Sequence, residues 1–263
     1  MKIGISTASL FMRLYNEDAI ALISEWGVQT AEVFLTSFSE YEPKFSETLL
    51  KKKGNLNVNS VHVLNTQFEP QLFSDHPRVR SDAFLWLDKL LASAHILGAE
   101  NYTFHALARL KSTFKENLKK SGEKLSEIFA YCKEKGVRLC LENVEWALYN
   151  RPGLFKEFQK YCPGLGAVLD VKQAVISGYP YEEYFDDMGE SLAYVHASDF
   201  DENGRKVLPG RGRFNFEELF RRLKGAGFNG AVLIENYNDD YRELKDLKDS
   251  YDYLLEKAEK IFG

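Results

Sequence analysis

A chain of 263 residues with 44% hydrophobic and 28% charged side chains can bury a large core, and nothing in that balance suggests disorder. Its net charge of −5 argues against a protein whose main task is to grip nucleic acid by its phosphates. No apolar run approaches the length of a membrane span, so neither nucleic acid nor a membrane is expected as a partner.

The first strand is expected over 2–6, which leaves no room for a signal peptide and leads to the expectation of a soluble, cytoplasmic protein. Helical spacing follows over 16–26, with Asn16 as the expected N-cap and Gly27 closing the helix. A second strand over 30–35 carries Glu32 inside it. A helix over 43–53 stops at Gly54, and the strand 57–63 carries His62. The long amphipathic stretch 77–97 reads as a helix closed by Gly98, before a strand over 101–105 that ends in His105. A charged helix is expected over 115–135 and a fifth strand over 137–142. Pro152 opens a shorter helix, and the sixth strand is expected over 165–170. Short helical pieces at 172–176 and 180–187 precede the seventh strand, 192–196. A polar loop over 199–213 leads to a helix at 215–226, an eighth strand at 230–235 and a closing helix at 239–262. Cys132, Cys140 and Cys162 lack a Cys-x-x-Cys spacing and read as buried thiols in a reducing compartment.

Eight strand–helix units with no linker or composition break imply parallel strands joined by helical crossovers. In this length they point to one (β/α)₈ TIM barrel domain over residues 1–263. No Gly-x-Gly-x-x-Gly follows the first strand, so the rival open sheet with a dinucleotide site has no support.

Catalytic groups of such barrels sit at the C-terminal ends of the strands. Glu142, Asp170, His196 and Glu235 each end an apolar run, where an unpartnered carboxylate would cost several kcal/mol. Together they suit a divalent cation, which offsets the repulsion among three carboxylates. The oxygen-rich set favours Mn²⁺ or Mg²⁺, with Co²⁺ and Zn²⁺ as the other candidates. His62 and His105 end two further strands and are expected to contact substrate or to orient the ligands.

Taken in order, Ser-Val-His62, Thr-Phe-His105, Leu-Glu142-Asn, Leu-Asp170-Val-Lys-Gln, Val-His196-Ala-Ser-Asp199, Pro-Gly210-Arg-Gly-Arg-Phe and Ile-Glu235-Asn resemble the xylose isomerase-like barrels. That group holds sugar phosphate isomerases and epimerases, including ketose 3-epimerases, and more distantly endonuclease IV. The resemblance covers nearly the whole chain. It implies that Glu142, Asp170, His196 and Glu235 hold the metal, that Glu142 and Glu235 are also the acid/base pair, and that Arg211 contacts substrate. One departure stands out. The family's Asp-x-x-His is here Asp170-Val171-Lys172-Gln173, so Gln173 replaces a histidine that contacts substrate in epimerases and binds zinc in the endonuclease. An amide is a poor zinc ligand but can still hydrogen-bond a substrate.

The expected activity is therefore metal-dependent isomerisation or epimerisation of a sugar or sugar phosphate, through a proton taken from the carbon next to a carbonyl. Lys172, Arg205, Lys206, Arg211 and Arg213 are candidates for holding a phosphate or carboxylate, with solvated loop charge the expected role of all but Arg211. Trp146, Phe34 and Tyr237 either wall the sugar or simply pack. A metal-dependent dehydratase on a polyol or cyclic acid, and a non-catalytic sugar-binding member, are the alternatives; abasic-site nuclease activity ranks last. A homo-oligomer is compatible with all of these readings.

Overall fold

The computed structural model describes residues 1–64, 67–108 and 117–263. Ten strands are present among them: β1 (Lys2–Ser6), β2 (Thr30–Leu35), β3 (Asn57–Val63), β4 (Asn101–Phe104), β5 (Arg138–Glu142), β6 (Gly166–Asp170), β7 (Leu192–Ala197), β8 (Asp199–Phe200), β9 (Lys206–Val207) and β10 (Ala231–Ile234). Strands β1–β7 and β10 are parallel neighbours in a barrel that closes where β1 pairs with β10. Nine α-helices are present among the described residues: α1 (Asn16–Glu25), α2 (Pro43–Lys52), α3 (Pro77–Leu97), α4 (Leu118–Glu134), α5 (Leu154–Gln159), α6 (Val171–Ser177), α7 (Tyr181–Met188), α8 (Phe216–Gly225) and α9 (Leu244–Phe262). The fold is a (β/α)₈ TIM barrel, as expected.

Helix spacing explains how the outer layer covers the strands. In α8, Phe216, Leu219, Phe220 and Leu223 fall on one face and are all buried, while Asn215 caps the helix by accepting from the Glu218 N–H. In α3, Leu87, Leu90, Leu91, Ala94 and Leu97 form the same kind of stripe. Gly98 then closes the helix at φ 72°, a conformation that costs glycine little.

Inside the barrel the period of two along each strand stacks the side chains in layers. Cys140, Val168, Tyr194, Ala231 and Leu233 form a small apolar cluster of their own. Two residues further along the same strand faces stand Glu142, Asp170, His196 and Glu235. The apolar layer is the floor on which the polar one rests.

Several local expectations are corrected. Asn16 does not cap α1: Tyr15 holds that position, and the buried Asn16 amide accepts from Thr7 Oγ1 and donates to the Phe34 carbonyl and Glu40. The last helix begins at Leu244 rather than 239, with Glu243 and Asp246 forming a capping box. Residues Asn238–Asp240 make a single 3₁₀ turn. The Arg13 guanidinium takes the carbonyls of Asn238, Tyr241 and Arg242, acceptors that an earlier helix start would have needed. The loop over 199–213 contains a short antiparallel ribbon, β8 with β9. Residues 115 and 116, the expected start of the fourth helix, lie outside the described residues; the helix is described from Leu118, with Asn117 accepting from Lys120 N–H. No helix among the described residues is long and apolar enough to cross a membrane.

Candidate active site

The strand-end residues do meet. One ligand atom from each of Glu142, Asp170, His196 and Glu235 lies within 4.8 Å of the others, and all four residues are buried. Parallel pairing sets this up: Asp170 is in register with His196, and Leu233, two residues before Glu235, is in register with His196 as well. His196 Nδ1 stands 2.8 Å from Glu142 Oε1 and 3.5 Å from Glu235 Oε2. Asn143 fastens the ends of β5 and β6, its amide donating to the Asp170 carbonyl at 2.9 Å and accepting from the Asp170 N–H at 2.7 Å. Ser198 Oγ donates to the Glu235 carbonyl at 2.6 Å, fixing the end of β10.

His62 and His105 join the same cluster. Their Nε2 atoms are 3.0 Å apart. His105 Nε2 also lies 3.2 Å from Glu142 Oε2, and His62 Nδ1 lies 3.4 Å from Glu235 Oε1. A continuous run of polar contacts therefore joins the two expected acid/base carboxylates through two imidazoles.

Charge balance tests whether this set suits a cation. Burial outweighs the nearby Lys172 ammonium and, with the negative charges of Glu142 and Glu235, pushes the Asp170 carboxyl up to about 7. Asp170 Oδ1 caps α6 by accepting from the Gln173 N–H, whereas the buried Oδ2 receives no hydrogen bond among the described residues. Burial also disfavours the charged form of His196, but the carboxylates of Glu235, Glu32 and Glu142 outweigh that and hold it well above the ordinary histidine range. A buried carboxylate oxygen that receives no hydrogen bond and is met only by the Lys172 ammonium at 3.3 Å, two further carboxylates and an imidazole facing one point fit a hard divalent cation.

Above the cluster opens a cavity of about 390 Å³. His62, His105, Glu142, Asp170, Lys172, Gln173 and Glu235 line its base, while Phe34, Trp146 and Tyr237 form its walls. The Trp146 ring lies 5.3 Å from that of His105. Gln173 Oε1 accepts from the Glu145 N–H at 3.2 Å, so the amide ties the loop after β5 to α6 beside the cavity.

Among the five basic candidates Lys172 and Arg211 depart from expectation, while Arg205 and Arg213 are exposed loop charges as expected. Lys172 is 1% exposed, with its Nζ 2.9 Å from Glu235 Oε2 and 3.3 Å from Asp170 Oδ2. It is a buried member of the cluster, not a solvated loop charge. Lys206 Nζ lies 3.9 Å from the centre of the Tyr237 ring at the cavity rim. Arg211 is not brought into the cavity: it is exposed, with its guanidinium 3.8 Å from both Asp246 and Asp249 on α9. Arg213 pairs with Glu202 at the surface, and Arg205 is exposed in the turn between β8 and β9.

Two carboxylates of the cluster went unassigned in the sequence. Glu32 sits beneath the strand-end residues and accepts from Ser6 Oγ at 2.9 Å, Ser60 Oγ at 2.8 Å and Thr103 Oγ1 at 2.5 Å. Burial pushes its carboxyl up, but His196 and His62 beside it outweigh that and hold it well below the usual range. Its signal was the one that marks Glu142, an acid in an otherwise apolar strand. Glu69 accepts from the backbone N–H of His105 at 3.1 Å and stands 3.2 Å from its Nδ1. It opens the 3₁₀ turn Glu69–Phe73, a stretch that carries no comparable sequence signal.

Residues 20–257 match the family described as the xylose isomerase-like TIM barrel. The chain belongs to that family. Over 99% of its length it is 27% identical to the uncharacterized protein MJ1311 of Methanocaldococcus jannaschii, covering 93% of that protein. A D-psicose 3-epimerase of Ruminiclostridium cellulolyticum is 27% identical over 64% of this chain and 60% of its own length. Among solved structures, a D-tagatose 3-epimerase-like protein superposes with a TM-score of 0.82 at 23% identity, covering 100% of this xylose isomerase-like chain and 98% of that one.

Proposed function

We propose that this xylose isomerase-like barrel is a divalent-metal-dependent sugar isomerase or epimerase that moves a proton at the carbon next to a ketose carbonyl. The observation that carries the reading is the convergence of Glu142, Asp170, His196 and Glu235 at the base of an aromatic-walled cavity. Relatives named as sugar 3-epimerases support the substrate class.

Glu142, Asp170, His196 and Glu235 would hold the metal, with Mn²⁺ the preferred ion for an oxygen-rich set. When bound, the metal supplies positive charge that polarises the carbonyl and steadies negative charge developing next to it. Glu142 and Glu235 would take and return the proton. Burial raises both, but the surrounding imidazoles and, for Glu235, the Lys172 ammonium outweigh it: Glu142 is held down to about 2 and Glu235 well below its usual range. Each is thus available as a base. The carboxylate that returns a proton first takes one from solvent, and the one that removed the substrate's proton releases it to solvent before the next turnover. Trp146 and Tyr237 exclude water from one side of the sugar, and Gln173 offers its amide in place of the family histidine.

The test is solvent-deuterium incorporation in D₂O across a panel of ketoses and ketose phosphates with Mn²⁺-loaded protein. Deuterium entering a carbon next to the carbonyl of at least one panel member is the expected result. No incorporation into any member would sink the proposal, and water loss without exchange would point to a dehydratase.

A further inference from the structure

Glu32 is a fully buried carboxylate that faces two imidazoles, His196 and, 3.3 Å from Oε1, the Nδ1 of His62. It comes from β2, on the far side of the barrel interior from β7, yet both of its oxygens lie within reach of one edge of the His196 ring: Nε2 is 3.2 Å from Oε1 and 3.3 Å from Oε2. The opposite edge of that ring, Nδ1, faces Glu142 and Glu235. Three hydroxyls, those of Ser6, Ser60 and Thr103, already donate to the carboxylate. The Thr103 hydroxyl is itself 2.6 Å from Tyr194 Oη, which can donate to it, so that the run of O–H donors ends on Glu32.

We propose that Glu32 is the positioning residue that decides which nitrogen of His196 is offered to the metal. A neutral imidazole carries one N–H and one lone pair, and a metal takes only the lone pair. An ionised carboxylate accepts and never donates. Facing Glu32, Nε2 keeps its proton whether or not the site is loaded, so Nδ1, which faces Glu142 at 2.8 Å and Glu235 at 3.5 Å and carries a proton of its own in the unloaded site, is the nitrogen that gives its proton up to solvent to become the ligand. The ring is held by its outer nitrogen and presented by its inner one, the arrangement by which a carboxylate behind a histidine orients a ligand and raises its basicity. Glu32 does this from below the site, where it touches neither the cavity nor a substrate: it is fully buried and absent from the cavity lining. The inference rests on the reading of His196 as a metal ligand.

Two variants and one spectrum test it. Glu32→Gln retains an oxygen for the hydroxyls but turns an amide N–H toward His196, which favours the wrong tautomer. Glu32→Asp keeps the charge while drawing the oxygens back by one methylene. Both should weaken Mn²⁺ binding to metal-stripped protein by about 10–100-fold in calorimetry. A spectrum of the unmodified, ¹⁵N-histidine-labelled protein loaded with Zn²⁺ needs no variant: His196 should show a metal-ligated Nδ1 and a protonated Nε2. Wild-type Mn²⁺ affinity in both variants, or ligation through Nε2, overturns the role of Glu32 and leaves the metal reading standing. Failure of the unmodified protein to bind Mn²⁺ overturns both.

Discussion

Lys172→Met keeps the length of the side chain and deletes its charge. The ammonium stands 2.9 Å from Glu235 Oε2 and 3.3 Å from Asp170 Oδ2 in a fully buried setting. At an effective dielectric of ~20, each contact of that length carries roughly 5 kcal/mol of Coulomb attraction. Most of this is offset by the cost of taking the charges out of water. Removing one partner of such a pair still destabilises by about 3–5 kcal/mol, because the other is left buried and uncompensated. Asp170 limits the damage. Burial already pushes its carboxyl up to about 7, and without the ammonium it rises further and takes up a proton. The loss should then fall at the lower end, about 3 kcal/mol. For a chain of this size that corresponds to a drop in Tm of roughly 6–12 °C, read by thermal melting in EDTA. The gap from the parent should narrow as Mn²⁺ is added, since a site with less positive charge holds the cation more tightly. A variant that melts within about 2 °C of the parent in EDTA would refute the assignment of Lys172 as a buried counter-ion.

Glu142→Gln and Glu235→Gln should each slow solvent-deuterium incorporation by about 10²–10⁴-fold, as followed by NMR of the recovered sugar. Arg211→Ala should leave kcat/KM unchanged and shift stability by no more than about 0.5 kcal/mol, because the side chain lies on the surface against α9. Burial pushes the thiols of Cys132, Cys140 and Cys162 up to about 12, so at pH 8 almost none of each is thiolate. A disulfide reagent should label none of them in the folded protein and all three in guanidinium.

The barrel was legible in the chain because alternating strand and helix patterns leave few ways to cover both faces of parallel strands. The metal-site candidates were legible for a related reason. Glu142, Asp170, His196 and Glu235 break apolar runs at their ends, and an acid at the end of a buried strand needs a partner. Local pattern failed where a side chain bonds across the chain. Asn16 looked like a helix cap but is held by Thr7, Phe34 and Glu40. Residues 239–243 looked helical, yet Arg13 holds the carbonyls there from more than 220 positions away in sequence.

By itself, then, the sequence determined the order of the elements, the barrel they form and which strands end in ligand-capable groups. All of these depend on spacing along one strand or helix. Tertiary structure alone decided which charges share the interior. Lys172 and Arg211 are both basic loop-side residues in the sequence, but a register that sets Asp170 against His196 draws Lys172 in between Asp170 and Glu235, while Arg211 is left with α9. Glu32 and Glu69 gained their places behind His196 and His105 in the same way. The distance between two side chains on different strands is set by barrel closure, and no local pattern in the sequence encodes it.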